Sequence, residues 1–374
     1  MKFVVSSTTL LKHLSTINGA ITSNPVVPIL ENFLFEISDG MLKLYASDLQ
    51  TSMSTELPVE ANKKGSIAVP AKILLETLKN LPEQPVTFTI DENTYSVEIS
   101  SDNGRYKLAG ENATDFPKVP PFRNTHSFDI STDVLGRAIT STIFATGNDE
   151  LKPAMTGVYL SMDDSSITFV ATDSHRLVRF RRTDIKPGLN SIILPKKALM
   201  LLRASLPSEN TVVNVEYNDS NASFSFNNVR LTCRLIDERF PDYENAIPQN
   251  NTNKLIINRL DFLNSMKRIY IFANKTTHQV RLKISGSELQ ISAEDLDFSN
   301  EANERLTCEY HGEDMEIGFN AKFLIEVLSH LDCTDVKLTL SAPNRAGLVM
   351  PTENNDSEDI LMLVMPVMLS SYAT

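Results

Sequence analysis

The chain has no tryptophan, only three cysteines, six histidines and thirteen glycines among 374 residues. Cys233, Cys308 and Cys333 stand far apart with no CxxC pair, which argues against a disulfide framework or a zinc knuckle. The histidines are scattered without metal-ligand spacing, so no metal centre is expected. Apolar residues never run long enough to span a bilayer: the best stretch, 360–369, falls far short of the roughly 20 that a spanning helix needs. No basic segment followed by an apolar one opens the chain, because Lys2 leads straight into Phe3-Val4-Val5 and a polar run. The expectation is a cytoplasmic protein without a membrane partner.

Catalytic signatures are missing as well. No GxSxG, Walker loop, GxGxxG or HExxH occurs. Asp173-Ser174-His175 spells the members of a catalytic triad, but a strand sends adjacent side chains to opposite faces, and a triad gathers distant segments. Neither catalysis nor a cofactor is therefore expected. The balance of 35 basic against 47 acidic residues gives a net charge of −12, which on its face repels nucleic acid. A 41% hydrophobic share supports real cores, and the length suits two or three domains.

What the chain does contain is one pattern written three times. Shifting the sequence by 125 residues sets Phe3 against Phe128, Leu10 against Leu135, Pro28 against Pro153, and Ala46-Ser47-Asp48 against Ala171-Thr172-Asp173. Val69-Pro70-Ala71-Lys72 meets Leu194-Pro195-Lys196-Lys197, and Leu81-Pro82 meets Leu206-Pro207. Of the first 100 pairs 17 are identical, where composition alone gives roughly 6. A second step carries residues 194–197 onto Phe319-Asn320-Ala321-Lys322, and Ala293 and Asp295 fall where Ala171 and Asp173 lie after a short deletion. Three domains follow, at 1–122, 123–249 and 250–374.

Each copy reads alike. A short strand leads through a Ser, Thr or Asn cap into an amphipathic helix at 8–21, 132–145 and 260–273. Alternating strands follow, then a second helix at 71–80, 196–205 and 321–330, then more alternating strands. The fold class expected is α+β: three repeated domains, each with two helices packed on antiparallel sheets. On the helix at 71–80 the inward stripe reads as Ile73, Leu74, Leu78 and Leu81, with Lys72, Glu76 and Lys79 on the opposite side.

Positive charge concentrates on these helices. Lys12, Arg137, Lys267 and Arg268 lie on the first of each pair, and Lys72, Lys196, Lys197 and Lys322 on the second. Lys72, Lys197 and Lys322 occupy one repeat position. An ordinary solvated helix face is the plainer reading of any single helix. A geometric test separates assemblies: with axes spaced ~9 Å, six helices close a circle ~54 Å around and leave almost no pore once their ~10 Å width is removed. Twelve helices, from two chains, give ~34 Å between axes and ~24 Å clear, enough for a duplex on the order of 20 Å thick.

With these features the chain resembles the family of bacterial sliding clamps, the beta subunits of DNA polymerase III. The resemblance covers the full length and rests on Pro28-Ile29-Leu30, Ala171-Thr172-Asp173-Ser174-His175-Arg176-Leu177, Arg239-Phe240-Pro241-Asp242-Tyr243, Glu316-Ile317-Gly318-Phe319-Asn320 and Val364-Met365-Pro366 in order. It implies a closed head-to-tail homodimeric ring around double-stranded DNA, without sequence specificity, that tethers the replicative polymerase. It implies as partners the DNA polymerase III alpha subunit, a clamp loader, and other DNA polymerases and repair proteins bringing short peptides. The peptide pocket it implies uses Met155, Thr172, Ser174, His175, Arg176, Leu177, Pro241, Ala246, Ala346, Leu363, Val364, Met365, Pro366, Val367 and Met368. Ser174 stands where the family often has glycine, Met368 where it often has arginine, and Ser370-Ser371-Tyr372-Ala373-Thr374 run past the usual end. The plainer reading of the C-terminal stretch is an edge strand filling the third core. For DNA the resemblance adds Asn24 and Asp149 to the helix cations. For the dimer seam it sets Tyr106 and Leu108 against Ile271 and Phe272, residues that equally suit an interior strand and helix. A structural adaptor of repeated α+β domains that never touches DNA is the remaining alternative.

Overall fold

The computed structural model describes residues 1–117, 122–353, 355 and 357–369. The extension at 370–374 lies outside them, as does part of the stretch between the first two repeats. Six α-helices appear among the described residues: α1 (Ser7–Ile17), α2 (Ala71–Lys79), α3 (Thr132–Thr142), α4 (Lys196–Ser205), α5 (Arg259–Tyr270) and α6 (Ala321–Ser329). None is long and apolar enough to cross a membrane. The first helix of each repeat is capped as its sequence implies. Ser6 accepts from the Thr9 amide, Ser131 from Val134, and Asn258 from both Leu260 and Asp261, relieving amides that lack a helical partner. α1 and α3 stop earlier than their apolar pattern predicts, because the chain tightens into 3-10 turns at Asn18–Ala20 and Ile143–Ala145.

One expected stripe is corrected. On α2 the buried residues are Ala71, Leu74, Leu75 and Leu78, while Ile73 is 49% exposed. These four follow the i, i+3, i+4, i+7 spacing counted from Ala71, so Leu75 takes the place given to Ile73.

Contacts gather into two compact units, Met1–Gly136 with Lys197–Leu235, and Arg137–Lys196 with Ile236–Thr374. This grouping divides the middle repeat. The first unit holds an antiparallel sheet ordered Glu60–Ala61, Lys2–Ser6, Pro85–Ile90, Ser96–Ser100, Arg105–Ala109. Its eight-stranded sheet runs His126–Ser131, Val212–Tyr217, Asn221–Phe226, Val229–Arg234, Thr51–Pro58, Met41–Ser47, Asn32–Ser38, Gly65–Pro70, so strands of two repeats share one sheet. Phe3, Phe35 and Phe88 fill the core, with Phe3 and Phe88 stacked at 4.8 Å.

The second unit repeats the plan. Its nine-stranded sheet runs Asn190–Pro195, Gly157–Met162, Ile167–Thr172, Arg176–Arg182, Glu358–Val364, Gly347–Pro351, Asp335–Leu340, Asn253–Asn258, Glu309–His311. A five-stranded sheet runs Asn300–Thr307, Glu288–Asp295, Gln279–Ser285, Met315–Asn320, Pro366–Val367. The C-terminal stretch is therefore not simply an edge strand. Glu358–Val364 sits inside the larger sheet, and only Pro366–Val367 forms an edge, in the other. Gly318 permits that second pairing: a Cβ there would meet the Val367 carbonyl at 2.5 Å and Leu369 at 2.9 Å.

Phe88→Ala should lower stability by about 3–5 kcal/mol, read from the urea midpoint, because it empties a site in contact with two other rings. Val26→Thr, on a residue almost fully exposed, should leave the midpoint unchanged.

Candidate functional site

The site is built where the hairpin turn at 172–176 meets the C-terminal strand, within the second unit. Asp173 organises the turn: its Oδ1 accepts from the amides of His175 and Arg176, both at 2.9 Å. Thr172 Oγ1 donates to the Arg176 carbonyl at 2.7 Å and accepts from the Ser174 amide. Ser174 is thereby held at φ +77°, in the left-handed region that favours glycine. That backbone explains why glycine suits this position.

From the turn, Arg176–Arg182 pairs antiparallel with Glu358–Val364, placing Leu177 opposite Leu363 and Leu363 opposite Leu348. Alternation puts Val170, Leu177, Leu361, Leu363 and Leu348 on one face. Phe240, Ile247 and Ala346 pack on them, with Tyr159 and Tyr243 beside. Around this apolar floor, Ser174, His175, Pro241, Ala246, Met365 and Met368 are exposed, and Met155, Pro366 and Val367 half-buried. Ser174 Oγ touches Met155 Sδ at 3.3 Å and Lys152 Nζ at 3.3 Å, and the Met365 amide donates to the His175 carbonyl. An adaptable methionine rim over a leucine floor, flanked by polar groups, suits an apolar segment of extended chain.

Two expected members face elsewhere. Arg176 and Val364 sit opposite each other in the register and one residue from Leu177 and Leu363, so alternation turns both to the other side of the sheet. Val364 is fully buried. Arg176 is buried between the rings of Phe144 and Phe323, 5.3 and 4.9 Å from their centroids. Its Nε donates to Asp173 at 3.1 Å, Nη2 donates to the Phe144 carbonyl at 2.8 Å, and Nη1 pairs with Glu326. Burial pushes its pKa down and Asp173 opposes that shift. Sequence reasoning missed Lys152, Phe144, Phe323 and Glu326. Phe240 could have been found, since it lies within the Arg-Phe-Pro segment already singled out. A separate polar cavity of about 470 Å³, lined by Asn274, Arg281, Ser292, Glu294 and Asp297 among others, has no comparable apolar floor.

The candidate DNA contacts are surface residues, with Lys196 half-buried. Lys12, Lys72, Lys267 and Lys322 have no ion pair among the described residues. Arg137 instead forks onto Glu358 at 2.8–2.9 Å, and that carboxylate is only 7% exposed. Arg268 forks onto Glu304 at 2.6–2.7 Å. Lys197 pairs with Asp48 and donates to Thr22, and Lys196 donates to Asn148. Asn24 adopts φ +53° with its amide on Glu31, and Asp149 accepts from the Leu151 amide. Four lysines thus carry uncompensated charge, while both arginines are neutralised by local carboxylates.

Three domain families match consecutive stretches of the chain: the DNA polymerase III beta subunit N-terminal domain over residues 1–120, its central domain over 129–242 and its C-terminal domain over 244–366. A beta sliding clamp of Proteus mirabilis is 30% identical over 374 residues, covering 99% of this chain and 100% of the relative. One from Vibrio cholerae is 28% identical over 371 residues, with the same coverage. Among solved structures, the DNA polymerase sliding clamp from Bacillus subtilis matches with TM-score 0.94 at 26% identity over 99% of both chains. The DNA polymerase III subunit beta from Pseudomonas aeruginosa matches with TM-score 0.94 at 28% identity, over 99% of this chain and 100% of that one.

The site region also carries a pH dependence. His330 stacks on Phe144 at 4.0 Å and its Nδ1 donates to the Glu326 carbonyl at 2.7 Å. Burial, then Arg176, pushes its pKa below the ordinary histidine value, and burial followed by Lys12 does the same to His13. As pH falls through about 6.5 the unfolded chain takes up protons that the folded histidines refuse, so stability drops. The melting temperature should be lower at pH 5.5 than at pH 7.5 by about 2–4 °C, and His330→Gln should reduce the difference.

Proposed function

The chain belongs to the family of the DNA polymerase III beta subunit, the sliding clamps of DNA replication, and on that premise we propose that it works as one. Two copies close head to tail into a ring around duplex DNA, and the leucine-floored site receives peptide segments of the DNA polymerase III alpha subunit, the clamp loader, other DNA polymerases and repair proteins. No bond is made or broken by the ring. Processivity follows from topology, since an enclosing ring need not grip the duplex, and weak phosphate contacts from Lys12, Lys72, Lys267 and Lys322 permit sliding.

The observation that carries this reading is the longer outer strand of the five-stranded sheet in each unit. Arg105–Ala109 and Asn300–Thr307 are each hydrogen-bonded on one side only. Unpaired edges of this length are templates for another chain. Lys107 on the first and Glu301 on the second have no ion pair among the described residues, so antiparallel joining of two copies brings opposite charges together. Ile271 and Phe272 are 63% and 39% exposed, and Leu296 and Phe298, which the sequence reading did not single out, are 81% and 70% exposed. Such side chains suit the apolar part of an interface. Tyr106 is half-buried, but Leu108 is only 6% exposed and belongs to its own core. The pore arithmetic favours two chains over one.

A protein loaded by a clamp loader onto nicked circular DNA should stay bound, and should be released when the circle is cut. Retention on linear DNA with free ends would contradict enclosure. Ile271→Asp should convert a dimer into a monomer in sedimentation. A wild-type chain that is monomeric at every concentration would remove the ring.

A further inference from the structure

The bonds within the turn that hold Ser174 in its left-handed backbone are themselves supported from outside it. Two amides on Asp173 define the loop, but the carboxylate that receives them is itself held through Oδ2 by Arg176 Nε. Arg176 is in turn ion-paired with Glu326 on α6 and lies between Phe144 and Phe323, an arrangement in which a guanidinium is attracted to both ring faces. His175, next in the chain, stacks on the same Phe323 with centroids 5.8 Å apart. A chain of contacts runs from α6 to Arg176, to Asp173, and to the amides at the rim of the apolar site.

The first repeat supports this independently. Its equivalent turn at Asp48 has the same hydrogen bonds: Oδ1 accepts from Gln50 and Thr51, and Ser47 accepts from the Leu49 amide. Leu49, the counterpart of Ser174, is also left-handed at φ +75°, although a leucine has no side-chain device that favours this conformation. There too the aspartate is gripped from a separate helix, by Lys197 of α4. The residue 125 places later, Lys322 on α6, has no ion pair among the described residues. In the second repeat the grip comes through Arg176 and Glu326 instead.

We infer that Glu326, Arg176 and Asp173 form a latch that holds the turn at 172–176 in its binding shape, making Glu326 and Arg176 positioning residues that set partner affinity without touching the partner. This rests on the peptide-site reading proposed above. Loss of the latch lets Ser174 leave the left-handed region, and the rim formed by Ser174, His175 and Met155 loses its register over the leucine floor.

The test uses the full-length protein with the DNA polymerase III alpha subunit in surface plasmon resonance, and amide hydrogen exchange of the free protein. Glu326→Gln should weaken alpha binding about tenfold, the effect of losing one charge-assisted contact, and should speed exchange at His175 and Arg176. Adding Ser174→Gly, which adopts the left-handed backbone without cost, should recover at least about a third of the lost affinity. Unchanged affinity and unchanged exchange in Glu326→Gln would overturn the latch. Weakened binding with wild-type exchange and no rescue by glycine would overturn it as well, since Glu326 would then be a direct contact. If the wild-type protein does not bind alpha, the peptide-site reading fails, and the exchange rates still decide whether the latch shapes the turn.

Discussion

Seven consecutive residues of Arg176–Arg182 pair with Glu358–Val364, and five residues of the Val229–Arg234 strand pair with Thr51–Pro58. These two ladders hold strands of different repeats in common sheets, and the local features of each unit depend on them. Backbone pairing cannot be shifted by one residue without turning every side chain to the other face, so each ladder fixes which residues of the neighbouring repeat are its partners. In the second unit that register sets Leu177 beside Leu363 and Arg176 beside Val364. The apolar floor and the buried guanidinium are two faces of one alignment.

The two ladders also give equivalent rows of the two units different chemistry. Ser52 lies 125 residues before Leu177, and its row continues through Thr232 to Ser223, where the other unit has Leu363 and Leu348. Arg230 donates to Ser223 at 2.8 Å, and Ser223 is fully buried. A framework with the same strand order therefore has a hydrogen-bonded polar row in the first unit and a leucine row in the second. Satisfied polar groups at such positions are stable, but they offer an apolar anchor nothing to displace.

Local organisation could be read from the sequence with little loss. Proline, asparagine and serine caps, period 3.6 stripes and period 2 strands are written within ten or so residues, and α4 was anticipated to the residue at Lys196–Ser205. The error at Ile73 shows the limit of that logic, since a short helix with several apolar residues admits two neighbouring stripes. The site was only half visible. The resemblance places residues 174–177 in one pocket, yet a strand cannot send Arg176 and Leu177 to the same side, and alternation alone separates them. The rings enclosing Arg176 left no local signal, because Phe144 and Phe323 come from remote segments brought together by sheet register. The pairing of Arg137 with Glu358 was hidden for the same reason, and it ties an exposed cation to a carboxylate 221 residues away.

The interior place of Glu358–Val364 bears on how the second unit folds. Without that strand, Arg176–Arg182 and Gly347–Pro351 each lack a neighbour along one side, so the nine-stranded sheet closes only when segments far apart in sequence meet, a slow kind of pairing. A chain in which that pairing is open lacks Leu361 and Leu363 of the leucine floor and displays two raw strand margins. The strand that joins the two halves of the sheet also completes the leucine floor, so a chain that has not closed the one has not formed the other.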